Sequence, residues 1–263
     1  MVVFSRWSYD AGMNPASFLF LRFGIAAICL WAIVYAKGLK LPSKNLSFKA
    51  LGMGTMYVGN AGAYFVALTM APPAVVAMLF YLYPAFVAIL AFFILHERIN
   101  LKSGLAMILA IVGAGFTIGF TIQSGSALGT FLAILSGFVY SAFLVIGRKW
   151  SDNIDPLVRT ALVTTSATGV FAIASLFFGF DLPTNAMGWV GVLCISLIST
   201  VFAITALLAG LRYVKSTHVA TLSATEPVVA AIASATVLGQ SLTSAFIVGA
   251  AMIVASALII AND

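Results

Sequence analysis

A carboxylate stands deep inside a long apolar run of this chain. Glu226 lies nine residues into the segment Thr217 to Leu238 and is followed at once by Pro227. In a helix rising about 1.5 Å per residue, that is about 14 Å from the segment's start. An ionisable group at such a depth in a membrane is costly, and its default reading is functional. Pro227 has no amide hydrogen, so the Ser223 carbonyl loses its usual helical partner. A broken helix with freed carbonyls beside a carboxylate can bind an ammonium group or carry a proton. The alternative is a protonated Glu226 hydrogen-bonded within a bundle. Tyr83-Pro84 repeats the device in the segment Ala74 to Leu95, where the proline frees the Phe80 carbonyl. Both prolines could instead serve only to kink helices for packing.

Other residues join these two by position. Arg22 lies about 10 Å into its own segment; it either snorkels to the outer interface, holds a substrate carboxylate or pairs with Glu226. Tyr57, Asn60 and Tyr64 fall at i, i+3 and i+7, one polar-aromatic stripe on a helix. Ser136 and Tyr140 share a face one turn apart, and Ser199 and Thr200 sit on a later segment. Stripes of this kind line a cavity or hydrogen-bond between helices; cavity is the expectation for the tyrosines and Asn60, packing for the small hydroxyls. The candidate substrate-binding set is therefore Glu226, Tyr83, Arg22, Tyr57, Asn60, Tyr64 and Tyr140, with Pro84 and Pro227 as helix breakers.

Some chemistry is excluded. His96-Glu97 lacks the second histidine of a zinc helix, because position 100 is Asn100. Cys29 and Cys194 each sit alone in an apolar run and read as small buried hydrophobes. His218 begins a segment beside Lys215 and reads as interfacial. Gly52, Gly54, Gly59, Gly62, Gly113 and Gly115 read as sites of close helix approach. There is no phosphate loop or catalytic triad, so neither metal nor cofactor is expected, and the protein does not read as an enzyme.

The elements that must position these residues follow from composition. Of 263 residues 62% are hydrophobic and 8% charged, against about 25% charged in soluble domains. So few charges cannot cover a water-facing surface, and the chain belongs in a lipid bilayer. A hydrocarbon core of about 30 Å needs about 20 apolar residues. Nine segments qualify: Pro15 to Ala36, Phe48 to Met70, Ala74 to Leu95, Leu101 to Ile122, Ala127 to Gly147, Leu157 to Phe180, Met187 to Leu211, Thr217 to Leu238 and Thr243 to Ala261. The joints are short, so the helices form one bundle. The net charge of +6 orients such a protein and does not point to nucleic acid.

The two halves are similar to each other. Val76-Ala77-Met78-Leu79 aligns with Val219-Ala220-Thr221-Leu222, and the same offset puts Pro84 on Pro227 and Leu95-His96-Glu97 on Leu238-Gly239-Gln240. Asn14-Pro15 corresponds to Asp155-Pro156, and Arg6 to Arg148. The division is a first repeat over 1–122 and a second over 127–263. In the second repeat a full segment precedes Arg148, whereas only about four apolar residues precede Arg6, so the expectation is a five-helix unit whose first helix is mostly missing. Reading the genomic frame upstream tests this: apolar codons are expected there, and their absence would sink it. Eleven of the thirteen Lys and Arg residues fall in one set of alternate loops, Lys37 to Lys49, Arg98, Lys102, Arg148, Lys149, Arg159, Arg212 and Lys215. That set is expected to be cytoplasmic. Five helices per unit is odd, so the second unit is expected to be inverted relative to the first.

These residues resemble the EamA-type branch of the drug/metabolite transporter superfamily. The resemblance covers nearly the whole chain. It rests on Asn14-Pro15 with Phe18, Arg22-Phe23 and Ala26-Ala27, on Pro84 running to Leu95-His96-Glu97-Arg98, and on Glu226-Pro227 running to Leu238-Gly239-Gln240. It implies an all-α integral membrane bundle of ten helices, nine complete here, in two inverted five-helix repeats working by alternating access. It also implies export of amino acids or related metabolites. Two departures stand out: the nearly absent first helix, and Gln240 where glutamate is usual. The expected partners are a small-molecule substrate, the bilayer and a coupling proton; the assembly is a monomer or homodimer in a bacterial cytoplasmic membrane. An uptake permease of the same fold, a non-transporting membrane subunit and an enzyme acting on lipid intermediates are the alternatives.

Overall fold

The structure, a computed structural model, describes residues 2–71, 73–97, 100–118, 126–150, 154–226, 228–229, 232, 236 and 243–261. Among them every regular element is a helix: α1 Val2–Asp10, α2 Pro15–Ala36, α3 Lys44–Met70, α4 Pro73–Phe80, α5 Tyr83–Leu95, α6 Leu101–Ile118, α7 Ala127–Lys149, α8 Pro156–Phe178, α9 Ala186–Cys194, a π-helical stretch Ile195–Phe202, α10 Ala203–Gly210, α11 Ser216–Ser223 and α12 Ser244–Ala261. Several begin on a side chain that accepts an otherwise unused amide hydrogen. Asn14 accepts from Ser17 ahead of α2, and Asp155 accepts from Leu157 ahead of α8, each followed by proline in the first turn. The matched Asn14-Pro15 and Asp155-Pro156 pairs therefore do the same local job.

The exterior carries the apolar bulk. Leu176, Phe177 and Tyr213 are all more than four-fifths exposed, and Phe93, Phe48 and Ile28 are exposed too. Meanwhile Ser136, Ser141, Ser196, Thr160 and Thr164 are fully buried. Large apolar side chains outside and hydroxyls inside suit a lipid solvent. Among the described residues, Pro15–Ala36, Ala127–Lys149, Pro156–Phe178 and Ala186–Gly210 are long and apolar enough to cross a membrane. The predicted span Ala74 to Leu95 is not one helix but α4 and α5, separated at Tyr81 and Leu82. The far ends of the predicted spans reaching Ile122 and Leu238 lie outside the described residues.

The chain forms two compact units, one of residues 1–58 with 150–212, the other of 59–149 with 213–263. Each unit thus draws on both halves of the chain, and α3 contributes to both. In the first unit α2 packs on α8 and α1 on α9, around Leu30, Val34, Ala50, Val158 and Ala161. Gly54 lets α3 approach α8: an added Cβ would sit 2.5 Å from the Val163 carbonyl oxygen. Thr160, Thr164, Thr165 and Thr168 turn their hydroxyls onto carbonyls within α8, so these polar groups need no partner from lipid. Arg159, expected among the loop charges, is instead fully buried. Its guanidinium donates to the Leu208 carbonyl in the last turn of α10, where a cation suits the negative helix end.

In the second unit α6 packs on α12, α4 and α5 on α7, and α11 on α5. Gly113 permits the α6–α12 contact. By contrast Gly52 and Gly62 have open space beside them, so the expectation that each of the six glycines marks a close approach holds only in part. Cys29 and Cys194 are free and half-buried rather than buried. Gly54→Ala is expected to cost about 1–3 kcal/mol, because the α3–α8 contact must open, while Gly52→Ala stays within about 0.5 kcal/mol. Thermal unfolding of the purified variants in one detergent checks the pair.

Candidate functional site

The second unit brings two helix breaks together. After α4 the amides of Tyr81 and Leu82 bond to Ala77 at 2.9 Å and Leu79 at 3.3 Å, tightening the chain out of the α-helix. α5 then starts with Pro84 in its first turn, where a missing amide hydrogen costs nothing. The carbonyls exposed by this break are met by α7. An added Cβ at Gly137 would lie 2.9 Å from the Phe80 carbonyl oxygen, so only glycine lets α7 come this close. Ser141 Oγ lies 2.9 Å from the Tyr83 carbonyl and 2.7 Å from that of Gly137.

The other break follows α11. Ala224 and Thr225 bond their amides to Thr221 at 3.2 Å and Leu222 at 3.1 Å, so Ala224 passes over the Ala220 carbonyl. That carbonyl accepts instead from the Tyr83 hydroxyl at 3.0 Å. Tyr83 is 2% exposed, with the Ser223 side chain as a further hydrogen-bond partner. One phenol therefore joins the two broken segments.

A cluster of rings surrounds it. Phe80 packs against Tyr64, Tyr81, Tyr83 and Tyr140 with ring centroids between 5.4 and 5.6 Å apart, and Tyr83 meets Tyr140 edge-on at 5.1 Å. Glu226 lies three residues beyond α11. Its side chain is exposed and within electrostatic reach of the Tyr64, Tyr81 and Tyr83 hydroxyls. Tyr81 is absent from the candidate set drawn from sequence, although the Phe80-Tyr81-Leu82-Tyr83-Pro84 run carries the signal. Pro227 lies outside the described residues.

The predicted stripe on α3 divides. Asn60 and Tyr64 belong to the second unit, where the buried Asn60 accepts from Ser136 at 2.8 Å. Tyr57 belongs to the first, edge-on to Phe23 at 5.8 Å. Arg22 is in the first unit too and does not snorkel. It is 5% exposed, its Nε donates to Thr200 Oγ1 at 2.8 Å, and its guanidinium carbon stands 5.0 Å from the Phe23 ring centre. Near α11, Glu97 accepts from the Ser216 amide and hydroxyl at 3.3 and 3.0 Å. A carboxylate at a helix N-terminus satisfies both a donor and the dipole, so His96-Glu97 is a capping device. His218, read as interfacial, pairs with Ser103 at 3.2 Å.

Residues 1–119 and 127–262 match the EamA-like transporter family. The chain belongs to that family. An uncharacterized transporter of Synechocystis sp. is 23% identical over 222 residues, covering 82% of this chain and 67% of the relative. One from Archaeoglobus fulgidus is 24% identical over 252 residues, covering 95% and 88%. A chain from a crystal structure superposes with a TM-score of 0.83 at 19% identity, covering 98% of this chain and 92% of that one, which establishes the shared fold.

For this EamA-like transporter the Tyr83–Ala220 bond is open to test. Tyr83→Phe keeps the ring packing but leaves a buried carbonyl without its donor. It is expected to lower stability by about 1 kcal/mol, read as a reduced thermal midpoint of the purified protein.

Proposed function

We propose that this EamA-like transporter exports small polar or amphipathic metabolites, amino acids and related compounds among them, by alternating access. The driving force in this reading is a proton or substrate gradient across a cytoplasmic membrane, and the two sequence repeats are inverted relative to each other. The observation that carries the proposal is the meeting of two helix breaks at the Tyr83–Ala220 bond, with Glu226 just beyond. Helices broken beside an ionisable group are where transporters of other folds place substrate and coupling ions.

In this reading Glu226 takes the coupling proton or the substrate's ammonium group, and Tyr64 and Tyr140 offer ring faces and hydroxyls to an amphipathic cargo. Ring faces attract cations, so an amine seated against Glu226 gains from both. Tyr83, buried and engaged, holds the two broken segments in register. Rocking of those segments exposes the Glu226 carboxylate to one side and then the other. The breaks make this feasible because no continuous hydrogen-bond ladder has to be bent.

Glu226→Gln in sealed vesicles separates the roles. If Glu226 carries the proton, gradient-driven transport falls by about 100-fold or more while counterflow exchange persists. If it binds the amine, both fall together. Undiminished gradient-driven transport by the variant would remove Glu226 from the mechanism. Transport direction in oriented vesicles decides between export and uptake.

A further inference from the structure

We infer that Arg22 and Tyr9, with Thr200 holding the Arg22 guanidinium in place, form a binding site for a small organic carboxylate within the first unit. The site uses none of the residues assigned to the proton or the amine. That the bound carboxylate belongs to the transported cargo rests on the carrier reading; the site itself does not.

The hydrogen bonds leave an excess of donors. Thr200 lies in the π-helical stretch Ile195–Phe202, and its hydroxyl donates to the Ile195 carbonyl at 3.1 Å, five residues back. Having given away its proton, the Thr200 oxygen can only accept, and it accepts from Arg22 Nε at 2.8 Å. This fixes the plane of the guanidinium. Arg22 Nη2, on the same edge, is buried without a hydrogen-bond partner. The Tyr9 hydroxyl is also buried without a partner, and it lies within electrostatic reach of Arg22. A guanidinium only donates, so the missing component is an acceptor.

Charge narrows what that acceptor is. A guanidinium keeps its charge in proteins, and burying it in a membrane protein without compensation is costly. A neutral water would fill the hydrogen bonds at Arg22 but leave the charge. The surroundings favour an anion that carries carbon. Phe18 packs 5.1 Å from the Tyr9 ring, and Phe23 lies under the guanidinium and stacks on Phe171 at 5.7 Å. A planar monoanion with an apolar substituent matches a few converging donors and these ring faces. A phosphate, with more charge to satisfy, does not. π-helical turns recur at functional sites, and here the widened turn aims the Thr200 oxygen at the arginine.

The test uses the full chain in phosphatidylcholine nanodiscs, which present no net anionic headgroup. Thermal unfolding is followed with acetate, isobutyrate and benzoate, each against its own amide, and with chloride and inorganic phosphate at matched ionic strength. The expected result is a saturable rise in midpoint with at least one carboxylate and none with its amide. Arg22→Gln should weaken the apparent affinity by about tenfold or more, as for a lost charge-assisted hydrogen bond. Tyr9→Phe should weaken it by a few-fold, and it serves in place of Arg22→Gln if that variant fails to fold. Equal responses to acid and amide, a response only to phosphate or chloride, no response to any carboxylate, or an unchanged response in both Arg22→Gln and Tyr9→Phe would each overturn the site. Because binding is read without transport, an inactive carrier that still binds carboxylate counts against the carrier reading alone.

Discussion

A bilayer core supplies no hydrogen bonds, so any interruption of a helix inside it must be repaired by the protein itself. The second unit is organised around that requirement. Two segments are broken, and each break turns carbonyls away from the helix ladder. Gly137 admits α7 to the Phe80 carbonyl, Ser141 reaches Tyr83, and the Tyr83 hydroxyl takes Ala220. Tyr83 consequently has to be buried, Phe80 becomes the hub of the ring cluster, and Glu226 lies just past the mended end of α11. The proposed chemistry depends on these repairs, since unsatisfied carbonyls in a bilayer core are costly.

The same solvent explains the polarity of the whole chain. Many hydroxyls bond to carbonyls within their own helices, as along α8, while large apolar side chains such as Leu176 and Phe177 are exposed. Buried charges are handled case by case. Arg159 is directed at the C-terminal carbonyls of α10, and Glu97 caps the N-terminus of α11. Both are structural uses of charge against a helix dipole. Arg22 donates through Nε to Thr200, and its buried Nη2 is the donor that the proposed carboxylate would meet.

Much of the architecture was legible from sequence because a helix in lipid needs only length, apolar content and caps. The bounds of α2, α8 and α12 follow from apolar runs opened by Asn14-Pro15, Asp155-Pro156 and Thr243. The candidate site was legible in part. Proline marked the break before α5, and depth marked Glu226 and Arg22. The grouping was not legible: Tyr57, Asn60 and Tyr64 share one helical face, yet α3 passes from one compact unit to the other between Val58 and Gly59. Helical periodicity gives a residue's direction from its axis but not which neighbour stands there.

Sequence alone therefore determined the solvent, the helical class, the starts of α2, α8 and α12 and the family resemblance, because each of these depends on residues adjacent in the chain. Tertiary structure alone decided that Tyr83 is a tie rather than an open surface, and that Glu226 has three phenols within electrostatic reach. It also decided that Arg22 bonds Thr200, 178 residues away, instead of reaching for the interface. Those outcomes depend on which carbonyl or hydroxyl a neighbouring helix leaves without a partner, and that is settled only when the helices pack.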